Sequence, residues 1–193
     1  MRFRFLSRLL SLWVACAVLG CLPACAAVLL HLSLEEMAEE SSAILLGRCV
    51  EVRSAWSAEG AGIVTHNVFE AREYYKGNLG PRVTLTELGG QVGNMVAEYS
   101  GVPRFRVGEE ALLFVWTNPH GVHQVIGLTQ GKFRVRRDSK TGEVLLRQAS
   151  SNEPMLEPAG HAHAWPVEEL AFPLVGLRSR LGAALQKRSG GVE

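Results

Sequence analysis

From residue 44 to residue 147 the chain is written in short runs of alternating apolar and polar side chains, each closed by glycine, proline or asparagine. Arg82 to Leu88 is the clearest: Val83, Leu85 and Glu87 fall on one face, Thr84, Thr86 and Leu88 on the other. Ile63 to Tyr75 sets Val64, His66, Val68 and Glu70 against Thr65, Asn67, Phe69 and Ala71. A period of two is the signature of a half-buried strand. The pattern predicts further strands over Ile44 to Trp56, Ala111 to Trp116, Val122 to Leu128, Lys132 to Arg137 and Glu143 to Arg147, with a short one at Met95 to Tyr99. Gly47 inside the first of these marks a bulge or bend. The links between runs are turn sequences such as Asn118-Pro119-His120-Gly121 and Ser139-Lys140-Thr141-Gly142, with no helix-length crossover. Such an order is that of a mainly β fold, an antiparallel barrel or sandwich.

Two helices flank the strands. Ser33-Leu34-Glu35-Glu36 is a capping box, predicting a short helix over Leu34 to Glu40. Near the carboxyl end Leu174, Leu177, Leu181 and Leu185 recur at intervals of three and four, with Pro173 placed to open the helix and basic residues near its close. The expected layout is a signal peptide over 1–26, a β-barrel domain over 27–149, a polar, proline-containing linker over 150–172, and a helix and tail over 173–193.

The first residues obey a different rule. Arg2, Arg4 and Arg8 precede an uncharged apolar run, Leu9 to Leu19, and small residues follow, Ala24-Cys25-Ala26-Ala27. That order is a secretory signal, and the run falls short of the ~20 apolar residues a membrane span needs. Two processing routes stay open: cleavage after Ala26 or Ala27, or lipidation at Cys21 within Val18-Leu19-Gly20-Cys21, which resembles a bacterial lipobox. The expected location is extracytoplasmic, with membrane contact only through the leader or that lipid. Cleavage removes three of the 20 basic residues and none of the 19 acidic ones, leaving 17 against 19. A mildly acidic, exported domain lacks the electrostatic footprint of a nucleic-acid binder. Of the four cysteines, Cys16, Cys21 and Cys25 lie in or beside the leader, so Cys49 alone survives ordinary cleavage and no disulfide scaffold forms.

The run Ser42-Ala43-Ile44-Leu45-Leu46-Gly47-Arg48-Cys49-Val50, then Thr65 and the strand into Tyr75-Lys76-Gly77, then Gly101 to Glu109 ahead of Leu112-Leu113-Phe114, and finally Gln130-Gly131-Lys132-Phe133 carry a resemblance. Together they resemble a group of exported bacterial proteins of unknown function whose domain looks like the netrin-like, OB-type barrel of tissue inhibitors of metalloproteinases. The resemblance implies an OB-like antiparallel barrel with a short N-terminal and a C-terminal helix. It does not carry the inhibitors' zinc-blocking Cys-x-Cys amino terminus, because Cys21 and Cys25 are separated by three residues.

Candidate chemistry is sparse. His161-Ala162-His163 and His120-x-x-His123 offer imidazoles without the four-ligand set of a structural zinc site. Cys49 and His66 offer a thiol and an imidazole for a nucleophilic pair, but Cys49 lies in an apolar strand, no Asn or Asp is indicated to orient the imidazole, and there is no G-x-S-x-G elbow. Gly89-Gly90-Gln91-Val92-Gly93 follows a strand but precedes no periodic helix, so it reads as a turn and not a phosphate loop. No catalytic residue, cofactor or metal is assigned. The expected role is that of a non-enzymatic module binding a protein partner, a peptidase or envelope component, with a structural, lipid-anchored envelope protein or a hydrolase as alternatives. Arg104, Phe105 and Arg106, in an irregular connection, are the candidate binding surface, with Phe105 either displayed or plugging the barrel.

Overall fold

The computed structural model describes residues 29–148 apart from 59 and 61, the segments 155–156 and 162–163, and 171–189. Residues 1–28, with Cys21 and Ala26, and His161 lie outside the described residues.

The first helix, α1 (Leu34–Glu40), is bounded as its capping box demands. The Glu36 amide donates to Ser33 Oγ at 3.1 Å, and the Ser33 amide donates to the Glu36 carboxylate at 2.8 Å. At the other end Lys76 Nζ donates to the carbonyls of Ala38 and Glu39 at 2.7 and 2.9 Å, placing a cation on the negative end of the helix.

The strands are β1 (Leu29–Leu30), β2 (Ala43–Trp56), β3 (Ile63–Lys76), β4 (Arg82–Leu88), β5 (Gly90–Val92), β6 (Met95–Ala97), β7 (Glu110–Thr117), β8 (His123–Val125), β9 (Lys132–Arg137), β10 (Val144–Gln148), β11 (Met155–Leu156), β12 (Ala162–His163) and β13 (Ala171–Pro173). Five of them, β7, β2, β3, β4 and β8, close into a ring. The fold is therefore mainly β, as the alternation predicts, and an OB-like barrel with one helix near each end of the domain, as the resemblance implies. Closure depends on β7 splitting one edge between two neighbours. Ala111 to Leu113 pair with β9, and Val115 to Thr117 pair with β8. The diverging β9 continues through β10 to β13 as a flap outside the ring. The predicted bend lies at Gly47, where the β2–β3 register slips between Leu46 and Gly47. A Cβ on Gly47 would lie 2.9 Å from the Glu70 carbonyl oxygen, so only glycine lets β3 come this close.

Two departures from the sequence reading concern the carboxyl end. Pro173 does not open the last helix; it closes β13, and the helix, α2, runs Leu177–Ser189. Phe172, opposite Leu146 and 5.4 Å from the Phe133 ring, holds this segment extended against the flap. The stretch expected to be a linker also contributes β11 and β12, with β1 pairing parallel to β11.

Alternation along β2 and β7 sorts side chains into two cores. Ala43, Leu45, Cys49, Leu113 and Val115 point into the barrel, with Phe69, Val83, Leu85 and Phe105. Ile44, Leu112 and Phe114 point outward and are covered by Leu34, Met37 and Ala38 of α1, by Phe133 and Leu146 of the flap, and by Leu177 and Leu181 of α2. The centre of the sheet is thus buried on both sides, which explains the unbroken apolar run Ala111 to Val115.

Candidate site at the barrel mouth

Strands β2 and β3 are longer than the barrel needs, and their ends extend past it. Ser54 pairs with Thr65 and Thr65 with Glu87, so these three residues share one row across three strands. Val52, Asn67 and Leu85 form the adjacent inward row. The hairpin of β5 and β6 folds back over this ledge, with Gly90 against Ser54 and Thr65. A Cβ at Gly90 would overlap both hydroxyls, and its φ of 132° suits glycine alone. The connection through Pro103, Arg104 and Phe105 supplies the remaining wall. Together they enclose a cleft of about 250 Å³.

Phe105 plugs the barrel. Its ring meets Phe69 edge-on at 5.0 Å between centroids, and only 7% of the residue is exposed. Arg104 and Arg106 stay exposed on either side of it. The three candidate binding residues therefore do not form one surface: the aromatic ring faces inward and only the arginines face solvent. Arg104 Nη2 lies 3.8 Å from Glu98 Oε1 at the cleft rim.

Beneath Phe105 sits a buried cation. Lys132 Nζ lies 4.2 Å from the Phe105 ring centroid, 2.8 Å from Glu109 Oε1 and 2.5 Å from the Arg104 carbonyl oxygen, to which it donates. Burial pulls the Lys132 ammonium below its usual range, and Glu109 opposes that shift. Satisfied on three sides, this ion pair anchors the connection that carries Arg104 and Phe105.

Above Phe105, at the mouth, sits a buried acid. Glu87 is 3% exposed. Its Oε1 accepts the Val125 amide at 2.8 Å, and among the described residues no group bonds its second oxygen. Desolvation pushes its carboxyl up to about 8, only partly offset by the Val125 bond. Glu87 also lines a second, shallower opening with Glu40, Trp116, Gln124 and Ile126. Beside it Asn67, 2% exposed, donates through Nδ2 to the carbonyls of Thr65 and Leu85 at 3.3 and 3.4 Å. Those two bonds orient the amide and leave its Oδ1 as an acceptor with no donor among the described residues.

Glu87 is the candidate residue that the sequence reading passed over. Its signal is present there: a carboxylate standing on the same alternating face as Val83 and Leu85 is buried, and buried acids are perturbed acids.

The other candidates come apart. Cys49 lies in the barrel with its thiol pushed up by desolvation, its Sγ 3.5 Å from the Glu51 carbonyl oxygen. His66 is on the opposite face of β3, its Nδ1 3.0 Å from Thr86 Oγ1. His123 Nδ1 lies 2.8 Å from Thr117 Oγ1, while His120 is exposed. Among the described residues no three histidine, cysteine or acidic side chains gather as metal ligands, and no helix is long and apolar enough to cross a membrane. No family model, no curated protein and no solved structure matches the chain.

Proposed function

We propose that this is an exported, non-enzymatic module that binds another protein through the open end of its barrel. The observation that carries the reading is the apolar rim of the mouth. Val52, Leu88 and Val96 are 37%, 43% and 60% exposed around one cleft, and Met95 beside them is 59% exposed. Trp56, two alternating positions along β2 from the cleft-lining Val52, is 56% exposed. Isolated exposed apolar residues are ordinary, but a group of them around a polar-floored cleft is the anatomy of an interaction site. Arg104 and Glu98 supply the charged border. The partner belongs to the compartment that the arginine-led leader addresses, an envelope or secreted protein. Non-enzymatic action draws support from Cys49, whose thiol is buried inside the barrel and pushed up by desolvation.

The test is retention from the envelope fraction on the immobilised chain, with Val96→Asp and Leu88→Asp as controls. Wild type is expected to retain a partner that both variants lose. Equal retention by all three would remove the mouth as the binding surface. Mass spectrometry of the processed amino terminus separates cleavage near Ala26 from lipidation at Cys21; intact leader on a cytosolic chain would end the export reading.

The raised acid favours one alternative, a hydrolase with Glu87 as proton donor, because Glu98 lines the same cleft. A glycoside- or ester-hydrolysing activity lost in Glu87→Gln would establish it.

A further inference from the structure

The mouth offers hydrogen-bond acceptors to whatever enters it. We infer that the cleft holds a lysine side chain of the partner, its ammonium seated between Glu87 Oε2 and Asn67 Oδ1 and its methylene stem lying along Val52, Leu88 and Val96. This inference rests on the protein-binding reading and names what the partner inserts.

The argument begins with satisfaction. Glu87 and Asn67 are both more than nine-tenths buried, line the same cleft and each keep one oxygen without a donor. Once Glu87 ionises, its second oxygen is a carboxylate acceptor in a poorly solvated place, and an ammonium supplies three donors from a single compact group. Lysine fits better than arginine for a geometric reason. A guanidinium binds best when both carboxylate oxygens are free for a bidentate pair, and Glu87 Oε1 is already committed to the Val125 amide. The volume also selects. At about 250 Å³ the cleft is smaller than the ~300–1,000 Å³ pockets that take drug-sized ligands, and suits one side chain. The apolar rim matches a stem that carries its charge beyond four methylenes.

The charges around Glu87 are compatible with this occupant. Glu98 and Arg104 share the cleft and face each other at its rim. Glu40, from α1, stands at the second opening. His66 on β3 and His123 on β8 are turned to Thr86 and Thr117. Among the described residues, no cation pairs with Glu87. Its proton is therefore what an entering ammonium displaces, and the complex forms with proton release.

The experiment is an NMR titration of the full chain with N-acetyl-lysine N-methylamide, using the norleucine analogue as the uncharged control. The lysine probe is expected to shift the Asn67 side-chain amide and the Val125 amide saturably at roughly 10 mM. The norleucine analogue is expected to leave them unmoved. Affinity is expected to rise at least about tenfold from about pH 6 to about pH 9, because the competent, ionised fraction of Glu87 grows. Glu87→Gln, which keeps the shape and the Val125 bond, is expected to weaken binding by about tenfold or more while its backbone spectrum stays native. Saturation by norleucine, affinity independent of pH, or full binding by Glu87→Gln would each overturn the inference. Failure of the inference and failure of the binding reading are distinct. A partner retained equally by wild type and Glu87→Gln, but lost in Val96→Asp, keeps the surface and removes the lysine. Probe binding with no retained partner removes the surface reading.

Discussion

The barrel interior and the helix-covered face of the same sheet use the same strands for opposite purposes. On the outer face Leu34, Met37, Ile44, Phe114, Phe133, Leu177 and Leu181 make a cluster built of apolar side chains. The inner face surrounds Phe69, Leu85 and Leu113 but also houses Lys132, Asn67 and Glu87. The two buried titratable groups within the barrel differ in turn. Lys132 is paired on three sides, and Glu87 is bonded at one oxygen only. A buried titratable group satisfied by its own chain holds the fold together, whereas one left half-satisfied at an opening is available to a ligand.

Four substitutions separate the two faces. Phe133→Ala strikes the outer cluster where Phe133 meets Phe114 and Phe172 at 5.7 and 5.4 Å. A loss of about 3–5 kcal/mol is expected, read from the urea midpoint. Lys132→Met strikes the paired charge and leaves Glu109 with Arg134 at 3.6 Å. It is expected to cost roughly 3 kcal/mol, with part of the loss recovered in the double variant carrying Glu109→Gln. No recovery would mean that the cation, not the pair, matters.

Glu87→Gln addresses the half-satisfied acid through pH. The folded carboxyl titrates near 8 and the unfolded one near 4.5. Between those values the folded chain binds the extra proton, so stability is fullest below the unfolded value and falls as pH rises, levelling out above the folded value. The slope is roughly 1.4 kcal/mol per pH unit within that window. Denaturant melts of the variant at several pH values are expected to lack this slope; an unchanged slope would place the titrating group elsewhere. The smallest effect is expected at the edge of the outer cluster. Ser33→Ala removes the cap of α1 and is expected to cost about 1 kcal/mol, read as a fall in thermal midpoint.

The alternation of β4 carried more information than its strand assignment. It sets Glu87 on the face of Val83 and Leu85, and the buried acid follows directly from that parity. Asn67 stood in the same way beside Phe69. Arg104, Phe105 and Arg106 were not legible to the same degree, because an irregular connection has no period. Which of the three turns inward depends on Phe69 and Lys132, contributed by distant strands. Pro173 misled for a related reason: its fixed φ suits the start of a helix and an extended edge alike, and pairing with β10 decided between them.

From its own local patterns, the sequence determined the long strands β2, β3, β4 and β7, the capped first helix and the mainly β class. Each is encoded locally, in a period of two or in the order of a few neighbouring residues. Only the tertiary structure decided that β7 divides one edge between β9 and β8 to close the ring, and that Glu87 and Asn67 meet at an opening rather than within a sealed core. Those outcomes depend on contacts between residues far apart in the chain, and whether a buried oxygen finds a donor is settled only when all the walls are in place.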